Sequence, residues 1–94
     1  MGEVHRQQGR YEQAMQLYEQ DLTICRELGD RHGEGQTLKN MGILAEKTGD
    51  LATARKRWQE ALAALDGLDV PEEEDVRKLL AELDEVEGPD REGV

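Results

Sequence analysis

The side chains that could carry out catalysis or bind a metal are few in this sequence and lie far apart. Its two histidines, His5 and His32, are widely separated, and neither has a second histidine or a cysteine at metal-ligand spacing. The single cysteine, Cys25, falls on the apolar side of a predicted helix, where a free thiol behaves as a small hydrophobic side chain. Neighbouring carboxylates such as Glu72 and Glu73 are too numerous to indicate acid–base catalysis. The sequence therefore predicts no enzyme, no metal site and no cofactor.

The charge balance argues against one class of partner. The 94 residues contain 12 Lys and Arg against 22 Asp and Glu, for a net charge of −10, whereas nucleic-acid binding needs clustered basic residues. Ten of the acidic residues lie between positions 72 and 92; we interpret them as a solvated helix face and tail, with a docking patch for a basic partner as the alternative. No apolar run is long enough to span a bilayer, and a lone cysteine suits a reducing compartment. We expect a cytoplasmic protein that binds neither nucleic acid nor membrane.

An internal repeat indicates the elements that position these side chains. The segment 49–68 repeats, forty residues later, the pattern of the segment 9–28, in which small and apolar residues recur at helix-contact spacing. A repeat of this length indicates helical units that bury their apolar faces by stacking on each other. The matched pairs are Met1 with Met41, Gly2 with Gly42, Gly9 with Gly49, Tyr11 with Leu51, Ala14 with Ala54, Tyr18 with Trp58, Leu22 with Leu62 and Leu28 with Leu68.

At these residues the sequence resembles the tetratricopeptide repeat, in the roughly forty-residue form found in kinesin light chains and in bacterial regulators. The resemblance covers residues 1–68, and it implies an all-α fold in which antiparallel helical hairpins, each made of a helix A and a helix B, stack as a short right-handed solenoid. The first unit departs from the family at Asp21, where alanine is usual. The residues that carry the resemblance are Gly9, Tyr11, Ala14, Tyr18, Met41, Gly42, Gly49, Ala54, Trp58 and Ala61.

Helix start and stop signals divide the chain. Gly9 is expected to end the first helix as a left-handed cap, and Gly29-Asp30 and Gly49-Asp50 each combine a helix stop with the N-cap of the next helix. Pro71, followed by acidic residues, begins an amphipathic helix outside the repeat. We therefore expect a partial first repeat over 1–28 with a truncated helix A and a helix B over 10–28, a second repeat over 30–68 with helix A over 30–48 and helix B over 50–66, a C-terminal capping helix over 71–86, and a disordered tail over 87–94.

One face of the second helix A is the candidate binding surface. It lies opposite the predicted buried stripe, and the resemblance implies that helices A line the concave side of the solenoid. In related repeats an asparagine at the place of Asn40 commonly bonds the backbone of a bound peptide, since an amide both donates and accepts, and a lysine at the place of Lys39 can contribute to a carboxylate clamp. The alternatives are a solvated or intra-repeat role for Asn40 and a solvated role for Lys39 and Lys47. The candidate peptide-binding residues are Gln36, Lys39, Asn40, Ile43 and Lys47.

The function that these observations predict is non-catalytic protein–protein interaction. We expect a module that binds a protein or peptide in its concave groove, as a fragment of a larger bacterial regulatory protein. The incomplete first unit supplies an alternative, because it leaves Tyr11, Leu17 and Tyr18 without their usual cover. Exposed apolar faces of this kind drive dimer formation or helix swapping. The alternative is therefore a self-associating structural segment, with a homodimer as its product.

Overall fold

The computed structural model describes the backbone of residues 2–92 and the side chains of residues 9–85. Over that range the chain forms four α-helices and no strand: α1 (Gly2–Leu28), α2 (Arg31–Lys47), α3 (Leu51–Leu65) and α4 (Pro71–Glu92). Each helix packs against the next one in the chain, and α4 also touches α2. A tight turn joins α2 to α3, so these two helices form a hairpin. The predicted all-α class, built from packed helical hairpins, is confirmed.

Two glycine–aspartate pairs separate α1 from α2 and α2 from α3. Gly29 and Gly49 have φ angles of +71° and +85°, a left-handed conformation that glycine adopts without strain. The Asp30 carboxylate accepts a hydrogen bond of 2.9 Å from the backbone N–H three residues later. The Asp50 carboxylate accepts from the N–H and the hydroxyl of Thr53 at 3.2 and 2.6 Å, and the hydroxyl bond, followed by the N–H bond, lowers the pKa of Asp50. Each pair therefore ends one helix and caps the next.

The core is centred on Trp58, between α2 and α3. The indole ring is fully buried, and its Nε1–H donates a hydrogen bond to the carbonyl oxygen of Lys39 at 3.1 Å. Gly42 faces this ring so closely that a Cβ atom there would overlap it, and Gly35 lies equally close to the side chain of Leu65. Because these two positions of α2 are glycines without a side chain, α3 can pack close to α2 and bury Trp58 between the two helices.

The fourth helix covers another side of α3. Val76 and Leu83 are buried in the same core. The helix runs to Glu92, whereas the sequence predicts its end at residue 86 and a disordered tail over 87–94. It continues through Gly88 and Pro89, two residues that disfavour a helix. Residues 93 and 94 of the expected tail lie outside the described residues.

The first helix corrects the expectation at Gly9. α1 is continuous from Gly2 to Leu28, so Gly9 is helical and does not end a truncated helix A. A separate helix of about two turns would carry its own nucleation cost, whereas a glycine inside a helix costs only about 1 kcal/mol relative to alanine. Continuation of the helix is therefore favoured. Against α2, the side chain of Leu22 is buried, with Met15 and Tyr18 at the edge of the core.

Candidate functional site

The candidate surface is the face of α2 that points away from the core. On its inner side, Leu38 and Met41 are fully buried. At its start, the guanidinium of Arg31 donates to the carbonyl oxygens of Ala64 and Asp66 at 3.1 and 2.8 Å, which ties the beginning of α2 to the end of α3. The opposite face carries the candidate residues. On it, Gln36, Asn40 and Lys47 are exposed, and Lys39 and Ile43 are half-buried.

Three of the five predicted residues lie together in a cleft between α2 and α4. Gln36, Lys39 and Asn40 line the cleft from α2, and Glu72 lines it from the first turn of α4; its volume is about 320 Å³. The amide of Asn40 makes no hydrogen bond with the residues that the structure describes. It is therefore free to donate and to accept at the same time.

The carboxylate of Glu72 is held by two side chains of α2. Nε2 of Gln36 donates to Oε2 of Glu72 at 2.8 Å, and Nε2 of His32 lies 3.0 Å from Oε1. The hydrogen bond from Gln36, followed by the one from His32, lowers the pKa of Glu72 to about 2, because both bonds favour the carboxylate over the neutral acid. Glu72 is therefore ionised at neutral pH.

Lys39 is also engaged within the chain. Its Nζ lies 3.3 Å from Oδ2 of Asp75 on α4. A carboxylate clamp requires an ammonium group that a ligand can reach and neutralise. In this structure Asp75 of α4 supplies a carboxylate to Lys39, and the clamp role of Lys39 stays a prediction.

The α4 side of the cleft is the part that sequence reasoning misses. Gln36 with Glu72 and Lys39 with Asp75 are each 36 residues apart, whereas the repeat period is forty. Ile43 of α2 and Leu79 of α4 both pack at the edge of the core. The available signal is the acidic first turn of α4, but its register against α2 depends on packing and not on the repeat.

The chemistry that this surface offers is polar recognition. Among the described residues, no group of three or more His, Cys, Asp or Glu side chains is arranged to hold a metal ion, and none of their helices is long and apolar enough to cross a membrane. Cys25 is half-buried, and a Cβ atom on Gly33 would touch its Sγ. The side chain of His5 lies outside the described range.

Most of the residues that carry the family resemblance lie at helix contacts or at a helix end. Gly49 ends α2 in a left-handed conformation, and Gly9 lies within α1. Of the remainder, Met41, Gly42, Ala54, Trp58 and Ala61 are buried, and Tyr11, Ala14 and Tyr18 are half-buried.

These features define an all-helical repeat scaffold that presents a polar cleft between two of its helices. The sequence profile of the tetratricopeptide repeat family matches residues 1–66, which is more than half of the chain, and the chain belongs to that family. The predicted family is thereby confirmed, and the kinesin light chain-like form stays a prediction. Tetratricopeptide repeats generally mediate protein–protein interaction. No curated protein and no solved structure matches the chain.

Proposed function

We propose that this protein is a non-catalytic interaction module that binds a peptide or helix of another protein along the outer face of α2. The observation that supports this function is the cleft in which Gln36, Lys39 and Asn40 come together. A protein–protein role is general in the family to which the chain belongs. Ile43 and Lys47 extend the proposed contact along the same helix face.

The central residue of the proposed contact is Asn40. A peptide backbone presents one donor and one acceptor per residue, and the exposed amide of Asn40 matches both. Such a contact holds an extended peptide without depending on its side chains. Half-buried Ile43 supplies an apolar surface beside it.

A peptide selection tests this function. Random peptides displayed on phage are selected on the full chain, and the affinity of a labelled synthetic winner is measured by fluorescence anisotropy. Asn40→Ala should weaken binding about five- to tenfold, since two hydrogen bonds are lost. Gln59→Ala is the matched control, because Gln59 is an exposed amide on α3. No selected peptide, or equal affinities for the two variants, would remove the α2 face as a binding site.

A second candidate function, self-association, is supported by the outer face of α1. Leu17, Ile24 and Leu28 are 61%, 52% and 76% exposed, and their spacing of seven and four residues places them on one side of the helix. The half-buried tyrosines of the predicted patch, Tyr11 and Tyr18, lie nearer to α2. Light scattering after gel filtration measures the oligomeric state. The wild-type chain should be a homodimer, and the double variant Leu17→Gln, Ile24→Gln should be a monomer. A wild-type chain that is monomeric at high micromolar concentration would exclude this function.

Three further parts of the proposal rest on sequence alone. We place the protein in the cytoplasm because a single cysteine suits a reducing compartment. We assign it to a bacterial regulatory protein because the run from Arg26 to Arg31 resembles such multi-repeat regulators. The division into a partial repeat over 1–28 and a second repeat over 30–68 stays a prediction.

A further inference from the structure

We propose that the cleft between α2 and α4 receives an arginine or lysine side chain of the bound peptide, with its cation on the carboxylate of Glu72 and the amide oxygen of Asn40. The inference rests on the proposed function and names the chemistry of the partner. The acidic residues between 72 and 92 left open a docking patch for a basic partner, and the inference places that patch at this cleft.

The two charged side chains that line the cleft are not paired with each other. The cation of the cleft, Lys39, is already paired with Asp75. Glu72 accepts from Gln36 and His32, which are both uncharged when histidine is neutral. Within the described part of the chain, no Lys or Arg forms an ion pair with Glu72. Among the described residues, the cleft therefore contains one carboxylate whose partners are an amide and an imidazole and not a Lys or Arg side chain.

The hydrogen-bonding groups favour the same ligand. A carboxylate only accepts, and each of its oxygens has room for more than one donor, so Glu72 can bind a ligand while it keeps its contacts with α2. The amide oxygen of Asn40 is a further acceptor on the same cleft. A guanidinium group has five N–H donors and no acceptor, and an ammonium group has three donors. An acidic side chain brings no donor and would be repelled by Glu72.

Further acidic residues of α4 would strengthen the preference of the cleft for a cationic ligand. Glu72, Asp75, Leu79 and Glu82 follow one another at spacings of three and four residues, so they share one helix face. The start of that face is turned toward α2, because Glu72 and Asp75 contact Gln36 and Lys39. A peptide that lies along α2 would therefore meet acidic groups on either side of one leucine.

The experiment uses the peptides selected on the full chain. The expected winners carry an arginine or lysine, and replacement of that arginine by citrulline, which keeps the shape and removes the charge, should weaken binding about three- to tenfold. Glu72→Gln should cause a similar loss, since the amide oxygen still accepts from Gln36. Asp75→Asn should act in the same direction, because it leaves the ammonium of Lys39 unpaired beside the cleft. The loss should shrink as salt concentration rises.

The control is Glu74→Gln, which removes the same charge from the same turn of α4 at an exposed position. It should leave affinity unchanged, and the fluorescence of Trp58 should show that all variants are folded. Peptides with acidic or uncharged anchors, or equal effects of Glu72→Gln and Glu74→Gln, would overturn the inference while Asn40→Ala still weakens binding. Insensitivity to Asn40→Ala would instead remove the proposed function itself.

Discussion

The two copies of the forty-residue pattern have the same sequence logic but different surroundings. The second copy, α3, packs against α2 and α4, whereas α1 has only α2 among the described contacts. Burial follows this difference. The matched positions are Trp58 at 0% exposure with half-buried Tyr18, Ala61 at 0% with exposed Asp21, Ala64 at 8% with Ile24 at 52%, and Leu65 at 0% with half-buried Cys25.

The comparison shows that the residue pattern determines the secondary structure, whereas the neighbouring helices determine how much of each side chain is buried. Apolar residues at helical spacing are enough to make both segments helical. More of them are buried where a helix lies on each side, and the stabilisation is proportional to the apolar area removed from water. Asp21 is consistent with this account, because a carboxylate is tolerated at an exposed position and would be costly at the buried position of Ala61.

The largest expected effect comes from truncating the aromatic residue in each copy. Trp58→Ala should lower the free energy of unfolding by about 3–5 kcal/mol, because it empties the centre of the core and removes the bond to the Lys39 carbonyl. Tyr18→Ala should cost about 1–2 kcal/mol, since only part of its ring is buried. Urea unfolding followed by circular dichroism measures both. Equal losses would show that α1 is as well covered as α3.

A glycine in each copy of the pattern provides the next test. Alanine is favoured over glycine inside a helix by about 1 kcal/mol, and a Cβ atom at Gly9 meets open space. Gly9→Ala should therefore stabilise the protein by about 1 kcal/mol. Gly42→Ala should destabilise it by about 1–2 kcal/mol, because the overlap with the buried ring of Trp58 outweighs the helical gain.

The same unfolding experiment measures both glycine variants. Opposite signs are the result that supports the structure. If both substitutions stabilise the protein, α2 and α3 are not in close contact at Gly42. If both destabilise it, Gly9 is not within a helix.

The helix ends show how much of the fold can be predicted from the sequence. The Gly-Asp pairs predict helices over 30–48 and 50–66, and the structure has α2 over Arg31–Lys47 and α3 over Leu51–Leu65. At both places the helix boundary is determined by neighbouring residues in the sequence: a glycine in the left-handed conformation followed by an N-cap aspartate. At Gly9 no capping aspartate follows, and a lone glycine is too weak a signal to end a helix.

The candidate site also could be predicted only in part from the sequence. Helical spacing alone predicts that Gln36, Asn40 and Lys47 share an outward face. The contacts of Gln36 with Glu72 and of Lys39 with Asp75 cannot be predicted in this way, because α4 lies outside the repeat. Its register against α2 follows from how Val76 and Leu83 pack on α3, and packing of side chains between helices is not encoded in a residue spacing.

The smallest expected effect distinguishes how α1 and α4 are attached to α2. α1 is joined to α2 by the exposed ion pair of Arg26 with Glu34 at 3.1 Å, whereas α4 is joined through Glu72, whose pKa falls from a usual 4.5 to about 2. A lowered pKa in the folded state means that the ionised form favours folding. The contribution of Glu72 is therefore fully present above pH 4.5 and is lost as the pH falls toward 2.

Urea unfolding of wild type and Glu72→Gln across this pH range isolates that contribution. The difference in stability between the two proteins should shrink as the pH falls from 4.5 toward 2. Glu74→Gln is the control, because no hydrogen bond of the described residues involves Glu74, and its difference from wild type should change less over the same range. A difference for Glu72→Gln that does not depend on pH would mean that Gln36 and His32 do not hold the carboxylate. The acidic first turn of α4 would then lie free of α2, and the cleft would lose the wall on which its preference for a cation depends.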